Sequence, residues 1–366
     1  MENRRNTERK NNKGKKNGTK LLIIILIALI IVVGILFALK ILNKGTVETN
    51  TVEEQIKEEK EEPKLQVVDI NSKTRPYAVM INNNHAAWPQ CGLEDAYIVY
   101  EIVAEGGITR MMALYKDKLP EKIGSVRSAR HYFIDYALEN DAIFVHWGGS
   151  PQAYAKIDTG INALDGIALE GTGVFFRDTS LKRDYEHTGF VNLAKAKEYA
   201  DTKGYTRETN KELLLNYSAT EIELDKIEKA TSADKVLLEY SDYHTTSYEY
   251  DSENKVYKRS MSGKANVDLK TGKQYTAKNI IVYKVKNYTL NDGENKGRQD
   301  LDNVGSGNGY YISCGYVVPI IWEKSSSNSQ TVYKYETGEE IKVNDGNTFI
   351  QIMPLDSEIS IEAANA

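Results

Sequence analysis

Cysteine is scarce: only Cys91 and Cys314 occur in 366 residues. A small exported fold that depends on disulfides carries many more, so stability here must come mainly from a packed core. The sequence leaves the two thiols open between a single bond and two buried free groups. Metal-ligand spacing is lacking as well. The five histidines, His85, His131, His146, His187 and His244, form no H-x-x-x-H pattern and there is no C-x-x-C, so neither a metal nor another cofactor is expected. The G-x-S-x-G elbow, the phosphate-binding P-loop and the dinucleotide fingerprint are absent too.

Long apolar runs are absent except one. Leu21 to Leu39 is nineteen residues without a polar side chain, close to the roughly 30 Å thickness of bilayer hydrocarbon at about 1.5 Å rise per residue. The twenty residues before it hold eight Lys or Arg and two Glu, which favours an inside amino terminus and an exported remainder. A cleavable signal peptide would have a shorter apolar region of about 7 to 15 residues and small residues at its end; this run ends Phe37-Ala38-Leu39-Lys40. No cysteine follows closely, so a lipid-modified cysteine is not expected. The reading is a single-pass membrane protein, its carboxy-terminal part extracellular. Taking the six surplus positive charges of the tail from the overall −5 leaves −11 on the rest, which argues against a nucleic-acid partner.

Composition then divides the chain into a basic tail (1–20), an anchor (21–42), a Glu/Lys-rich stalk (43–74), a mixed α/β domain (75–209), a polar helical connector (210–230), a β-rich domain (231–356) and a disordered tail (357–366). The fold class is thus α+β or α/β, with a transmembrane helix, a mixed α/β amino-terminal ectodomain and an antiparallel β-rich carboxy-terminal domain. Strands are expected at Tyr77 to Ile81, Tyr97 to Ala104, Ile108 to Tyr115 and Ala142 to Trp147, and helices at Val126 to Glu139, Pro151 to Ile157 and Leu193 to Lys203. Tyr-, Val- and Thr-rich alternation beyond Thr231 is strand composition.

Four segments carry candidate site residues. In YIVYEIVAEGGITRMMALY, a two-residue turn at Gly106-Gly107 would pair Val103 with Arg110 and set Glu101 and Glu105 on one face beside that arginine, as an ion cluster or a polar site. In IGSVRSARHYFIDYALEN, a helix starting near Ser125 would put Arg127 and Arg130 in its first turns, where the helix dipole disfavours cations unless an anion is held there. In AIFVHWGGSPQAY, a strand runs into His146, two glycines and the cap Ser150-Pro151, the usual geography of an α/β ligand site, or a tight turn beside a buried ring. In VFFRDTSLKRDYEHTGF, Arg177, Asp178 and His187 belong to an ordered polar loop or to an exposed charged one.

RPYAVMINN, PQCGLEDAYIVYEIVAEGGITRMMALY, IGSVRSARHYFIDYAL and HWGGSPQAY together resemble the YerB-like family of bacterial lipoproteins, a domain of unknown function found mainly in Gram-positive organisms. NIIVYKV and GYYISCGYVVPIIWEK are similar to that family's separate carboxy-terminal domain. The resemblance implies a two-domain extracytoplasmic envelope protein and brings no catalytic residues with it. The chain departs from the family pattern in having a membrane helix in place of a lipid-modified cysteine, Ser125 where proline is usual, and Tyr185-Glu186 before His187 where Ala-Pro is usual. Two functions follow as expectations: binding of an anionic cell-wall fragment or an envelope partner protein through the Arg127, Arg130 and His146 region, or hydrolase or transferase chemistry on an envelope polymer with His146 or Glu101 as general base.

Overall fold

Strands buried along all or nearly all of their length dominate the centre of the chain. Tyr77–Asn82, Ile98–Val103, Thr109–Tyr115, Asn279–Val285 and Thr348–Pro354 are almost unbrokenly apolar and shielded on both sides, the pattern of a sheet covered on both faces. The computed structural model, which describes Ile31, Val32, Gly34, Ile35 and residues 64–363, places them in one eleven-stranded sheet. From one edge its strands run Thr231–Ser232, Tyr316–Lys324, Gly305–Ser313, Asn279–Val285, Thr348–Pro354, Ile98–Val103, Thr109–Tyr115, Tyr77–Asn82, Ile143–His146 and Ala163–Asp165, with Val332–Tyr335 joining Tyr316–Lys324. The fold is mixed α/β, with a β-rich carboxy-terminal region.

One face packs on the helix His131–Glu139 through Tyr132, Phe133, Ile134, Tyr136 and Ala137. The opposite face packs on a smaller antiparallel sheet that includes Lys235–Glu239, Thr245–Asp251, Val256–Met261 and Glu358–Glu362. Val236, Leu238, Tyr248 and Tyr257 of that sheet meet Val79, Val99, Met111, Ile280 and Phe349 of the larger one. Lys235–Glu239 alternates exposed and buried residues, as a strand with one wet face should.

Sequence segments 75–209 and 231–356 share this large sheet. Ile98–Val103 lies parallel to Thr348–Pro354, with Glu101 opposite Gln351, and Thr348–Pro354 is itself parallel to Asn279–Val285. The carboxy-terminal strands are therefore not purely antiparallel. The connector expected to be helical holds instead a short strand, Asn216–Ser218, and one 3-10 turn, Leu224–Lys226; its backbone is spent on pairing with Lys342–Asn344. The tail expected to be disordered forms the strand Glu358–Glu362 against Lys235–Glu239, burying more of Ile359 and Ile361 than a free tail could.

Two local expectations change the site. The hairpin pairs Ile102 with Arg110 and Val103 with Thr109, one residue away from the expected register, because Glu105–Gly107 forms a 3-10 turn with Gly106 and Gly107 both at positive φ. A one-residue slip moves side chains to the other face, so Glu101 and Arg110 point to opposite sides of the sheet. The helix starts at His131, not near Ser125. Before it the chain is extended: Arg127 N donates to Met80 O, Val126 N to Gly189 O and Ala129 N to Gly148 O. These non-local bonds use the groups that an earlier helix start would have needed.

The anchor run Leu21 to Leu39 lies outside the described residues apart from Ile31, Val32, Gly34 and Ile35, which are helical. Among the described residues no helix is long and apolar enough to cross a membrane. Both cysteines are free, Cys91 buried and Cys314 half-buried.

Candidate functional site

Around the turn after Ile98–Val103, residues from five parts of the chain enclose a cleft of about 300 Å³ lined by Arg110, Arg127, Arg130, Lys296, Arg298 and Glu105, with Asn82, Asn84, Ser128 and Ser150 among the neutral polar groups. The lining holds five cations and one carboxylate.

Each cation is positioned by a specific bond. Glu105 stands between two arginines, accepting from Arg130 Nε and, at 3.2 Å, from Arg110 Nη2. Burial alone would raise the Glu105 carboxyl, but Arg130 and Arg110 outweigh it and hold the group below its ordinary value. Arg110 is almost wholly buried; burial, then its neighbour Arg130, pushes its guanidinium down to about 10, with Glu105 opposing. Its Nη1 donates to Ser128 O at 2.6 Å. Arg127 Nη2 reaches Glu186 Oε2 at 2.9 Å. Arg298 is fixed by Asp292 at 2.5 Å and Glu294 at 2.9 Å, and Glu294 also meets Lys296 at 2.9 Å. The backing carboxylates Glu186, Asp292 and Glu294 do not line the cleft. Arg127 Nε and Arg130 Nη2 have no protein acceptor among the described residues. Preformed donors of this kind suit a carboxylate or phosphate.

Five predicted residues, Glu105, Arg110, Arg127, Arg130 and Ser150, meet at this cleft. Ser150 also caps the helix Pro151–Ile157, accepting from Ala153 N at 3.2 Å. The helix-dipole conflict remains for one of the two arginines: Arg127 precedes the helix, whereas Arg130 is its N-cap, where Glu105 supplies the compensating anion. His187 forms part of the support: its Nδ1 accepts from Asn82 Nδ2 at 2.9 Å. Arg177 is stacked between Trp147 and Tyr185, 4.3 and 3.7 Å from their ring centres, and Asp178 pairs with Lys122 at 2.5 Å. These two order the polar loop without lining the cleft.

Glu101 and His146, the expected general bases, are elsewhere. Glu101 is fully buried on the opposite face of the sheet, bound by Arg259 Nη2 at 2.7 Å, Thr109 Oγ1 at 2.7 Å, Asn83 Nδ2 at 3.0 Å and His244 Nε2 at 3.0 Å. Burial would raise its carboxyl; Arg259, then His244 and Thr109, reverse this and hold it far below the usual carboxylate range. His146 is buried, stacked on Phe144, and donates from Nδ1 to Gly148 O at 2.8 Å. Desolvation lowers its pKa against the pull of Asp165. It is absent from the cleft lining.

Sequence reading missed Lys296, Arg298, Asn82 and Asn84. Asn291-Asp292-Gly293 is a turn signal close to Arg298 in the sequence, but no local pattern shows which surface such a bend faces.

A two-sheet α/β fold with a basic cleft at its turn region defines the class, and comparison with known proteins gives the family. Residues 65–206 match the N-terminal domain, and residues 236–350 the C-terminal domain, of the family described as protein of unknown function DUF3048. The chain belongs to this family. It is 31% identical over 289 residues to the Bacillus subtilis (strain 168) protein named "Putative lipoprotein YerB", covering 77% of this chain and 82% of that protein. The crystal structure of YerB protein from Bacillus subtilis is similar with a TM-score of 0.68 at 30% identity, covering 82% of this chain and all of that one.

Proposed function

We propose that this chain is a membrane-anchored, extracytoplasmic cell-envelope protein whose basic cleft binds an anionic component of the wall. The observation that carries the reading is the lining itself: Arg110, Arg127, Arg130, Lys296 and Arg298 converge on one space that holds only Glu105 as an internal anion. Cations crowd this closely at a cost unless negative charge is nearby. The carboxylates that pair with Arg127 and Arg298 supply part of it without lining the cleft themselves.

The membrane assignment rests on the apolar run Leu21 to Leu39 and its basic flank. A relative named as a lipoprotein supports the same compartment by a different tether. The extracytoplasmic part then begins after Lys40.

Direct binding tests the function. The full chain in detergent should bind isolated anionic wall polymer, and affinity should fall steeply with salt because the contacts are charge-assisted. Arg127→Ala should weaken binding about tenfold, roughly the value of one charged hydrogen bond, while the melting temperature stays close to wild type because Arg127 pairs with a largely exposed Glu186. Unchanged affinity in Arg127→Ala and Arg130→Ala would remove the cleft from the binding surface. Protease added to intact protoplasts should digest the chain beyond Lys40 and spare an amino-terminal tag; loss of the tag would reverse the topology.

A further inference from the structure

One wall of the basic cleft is lightly held. Between the neighbouring strands Asn279–Val285 and Gly305–Ser313 the chain leaves the large sheet as a separate two-stranded ribbon, Asn287–Thr289 paired antiparallel with Gln299–Leu301. A two-stranded ribbon on its own is marginally stable in water. Its apolar foothold is Leu301, buried at its base. The ribbon borders open space on two sides: Lys296 and Arg298 at its tip line the basic cleft, while Asn287, Tyr288, Thr289 and Gln299 line a second cleft of about 780 Å³.

Among the described residues, two side-chain hydrogen bonds join the ribbon and its tip to the amino-terminal segment. His131 Nε2 donates to Asp300 Oδ1 at 2.7 Å, and Gln152 Nε2 donates to Asp292 Oδ2 at 3.2 Å. His131 is the first residue of the helix His131–Glu139, next to Arg130, and its Nδ1 is buried without a hydrogen bond. The tip is braced within itself. Arg298 binds Asp292 and Glu294, Glu294 binds Lys296, and Leu290 N donates to Arg298 O at 2.7 Å. Its two cations are therefore carried as one piece wherever the ribbon goes.

We infer that residues 287–301 are a flap over the cleft, latched by His131 and Asp300, which swings open and closes Lys296 and Arg298 on an anionic wall polymer. This goes further than the anion-binding reading and rests on it. The facing cations belong to a fixed wall. Arg110 lies in the buried strand Thr109–Tyr115, and the backbone from Val126 to Ala129 is bonded to Gly189, Met80 and Gly148. Cations on both walls repel one another in the empty cleft, and the ribbon is the wall that can yield. An acid group between the walls is attracted to both, so it binds the closed form better and draws the flap shut. His131 and Asp300 do not line the cleft; they are positioning residues that hold the two ribbon cations in place.

Amide hydrogen exchange on the full chain in detergent tests the flap, first without polymer. The hydrogen-bonded amides of the ribbon should exchange at least about tenfold faster than those of Asn279–Val285 and Gly305–Ser313. His131→Ala should speed the ribbon about tenfold more, the order of one charged hydrogen bond, and leave the large sheet and the melting temperature close to wild type. His131→Gln, which keeps an N–H donor at similar reach, should restore the slower exchange. Isolated anionic wall polymer should then slow exchange across the ribbon, and should dissociate about tenfold faster from His131→Ala than from wild type. Ribbon amides that exchange in step with the large sheet and ignore His131→Ala make the ribbon a fixed wall and overturn the flap; the anion cleft is then judged by Arg127→Ala alone. Polymer that binds without slowing the ribbon overturns the flap in the same way. If wild type binds no polymer, the anion-binding reading fails and takes the closure with it, even where the free ribbon moves.

Discussion

Glu101 receives the guanidinium of Arg259 at 2.7 Å with both side chains wholly excluded from solvent. The pair joins sequence positions 158 residues apart and links the central strand Ile98–Val103 to Val256–Met261 of the small sheet. On the other face of the large sheet, Glu139 accepts from Lys324 at 2.7 Å, again fully buried. Each face is thus crossed by a fully buried ion pair between the amino- and carboxy-terminal segments.

Removing one member of such a pair strands the other without water. Glu101→Ala should therefore destabilise the protein by about 3–5 kcal/mol, and Arg259→Ala by a similar amount, because each leaves an uncompensated charge. The double change Glu101→Leu with Arg259→Met should cost markedly less than the sum. Urea midpoints of the four proteins measure this, and an additive double variant would show that the two groups do not act as a pair.

The same carboxylate sets a pH dependence. Its pKa in the folded state lies well below the ordinary 4.5, because Arg259, His244 and Thr109 overcome the effect of burial. A depressed acid contributes stability that is fully present above the unfolded pKa and lost as pH falls below it. The stability gap between wild type and Glu101→Gln should therefore be constant from pH 7 to about 5 and shrink below about 4.5. A gap that widens on acidification would contradict the assignment.

A shared sheet predicts shared folding. A fragment of residues 65–206 would expose the Ile98–Val103 edge that Thr348–Pro354 covers and would leave Glu101 and Glu139 without Arg259 and Lys324. Expressed alone it should aggregate or lack dispersed amide resonances. Residues 64–363 together should fold and stay soluble under reducing conditions, because both cysteines are free. A well-folded 65–206 fragment would show that the paired strand is dispensable.

Much of this was legible in the sequence where the information was local. The runs YAVMIN, IVYEIV and TRMMALY announced strands, and Ser150-Pro151 announced a helix cap that forms as read. What failed was long-range. A helix was expected to start near Ser125, yet Val126 to Ala129 are held extended by Met80, Gly148 and Gly189. The Gly106-Gly107 turn fitted a two-residue hairpin as well as the 3-10 turn that forms, and that single residue decided whether Glu101 shared a face with Arg110. Glu101 read as a site residue because the expected register set it beside Arg110; its partner Arg259, 158 residues away, could be found only by folding the chain.

Glu105 offers the sharpest separation between a binding cleft and a structural ion network. Its carboxylate is half of what holds Arg110 and Arg130, both largely buried, and it is also the anion already occupying the space where a ligand's acid group would sit. Glu105→Gln keeps the shape and an acceptor oxygen but removes the charge. Stability should fall by about 1–3 kcal/mol, as for loss of a charged hydrogen-bond partner. Affinity for the anionic wall polymer should rise, because like-charge repulsion in the cleft is gone and the two guanidinium groups are left to the incoming acid. The two quantities must therefore move in opposite directions. Denaturant midpoints and titration with isolated anionic wall polymer on the same preparation measure both, and the rise in affinity should vanish in high salt, where charge contacts are screened. If affinity instead falls together with stability, Glu105 and its arginines hold the fold together and bind nothing.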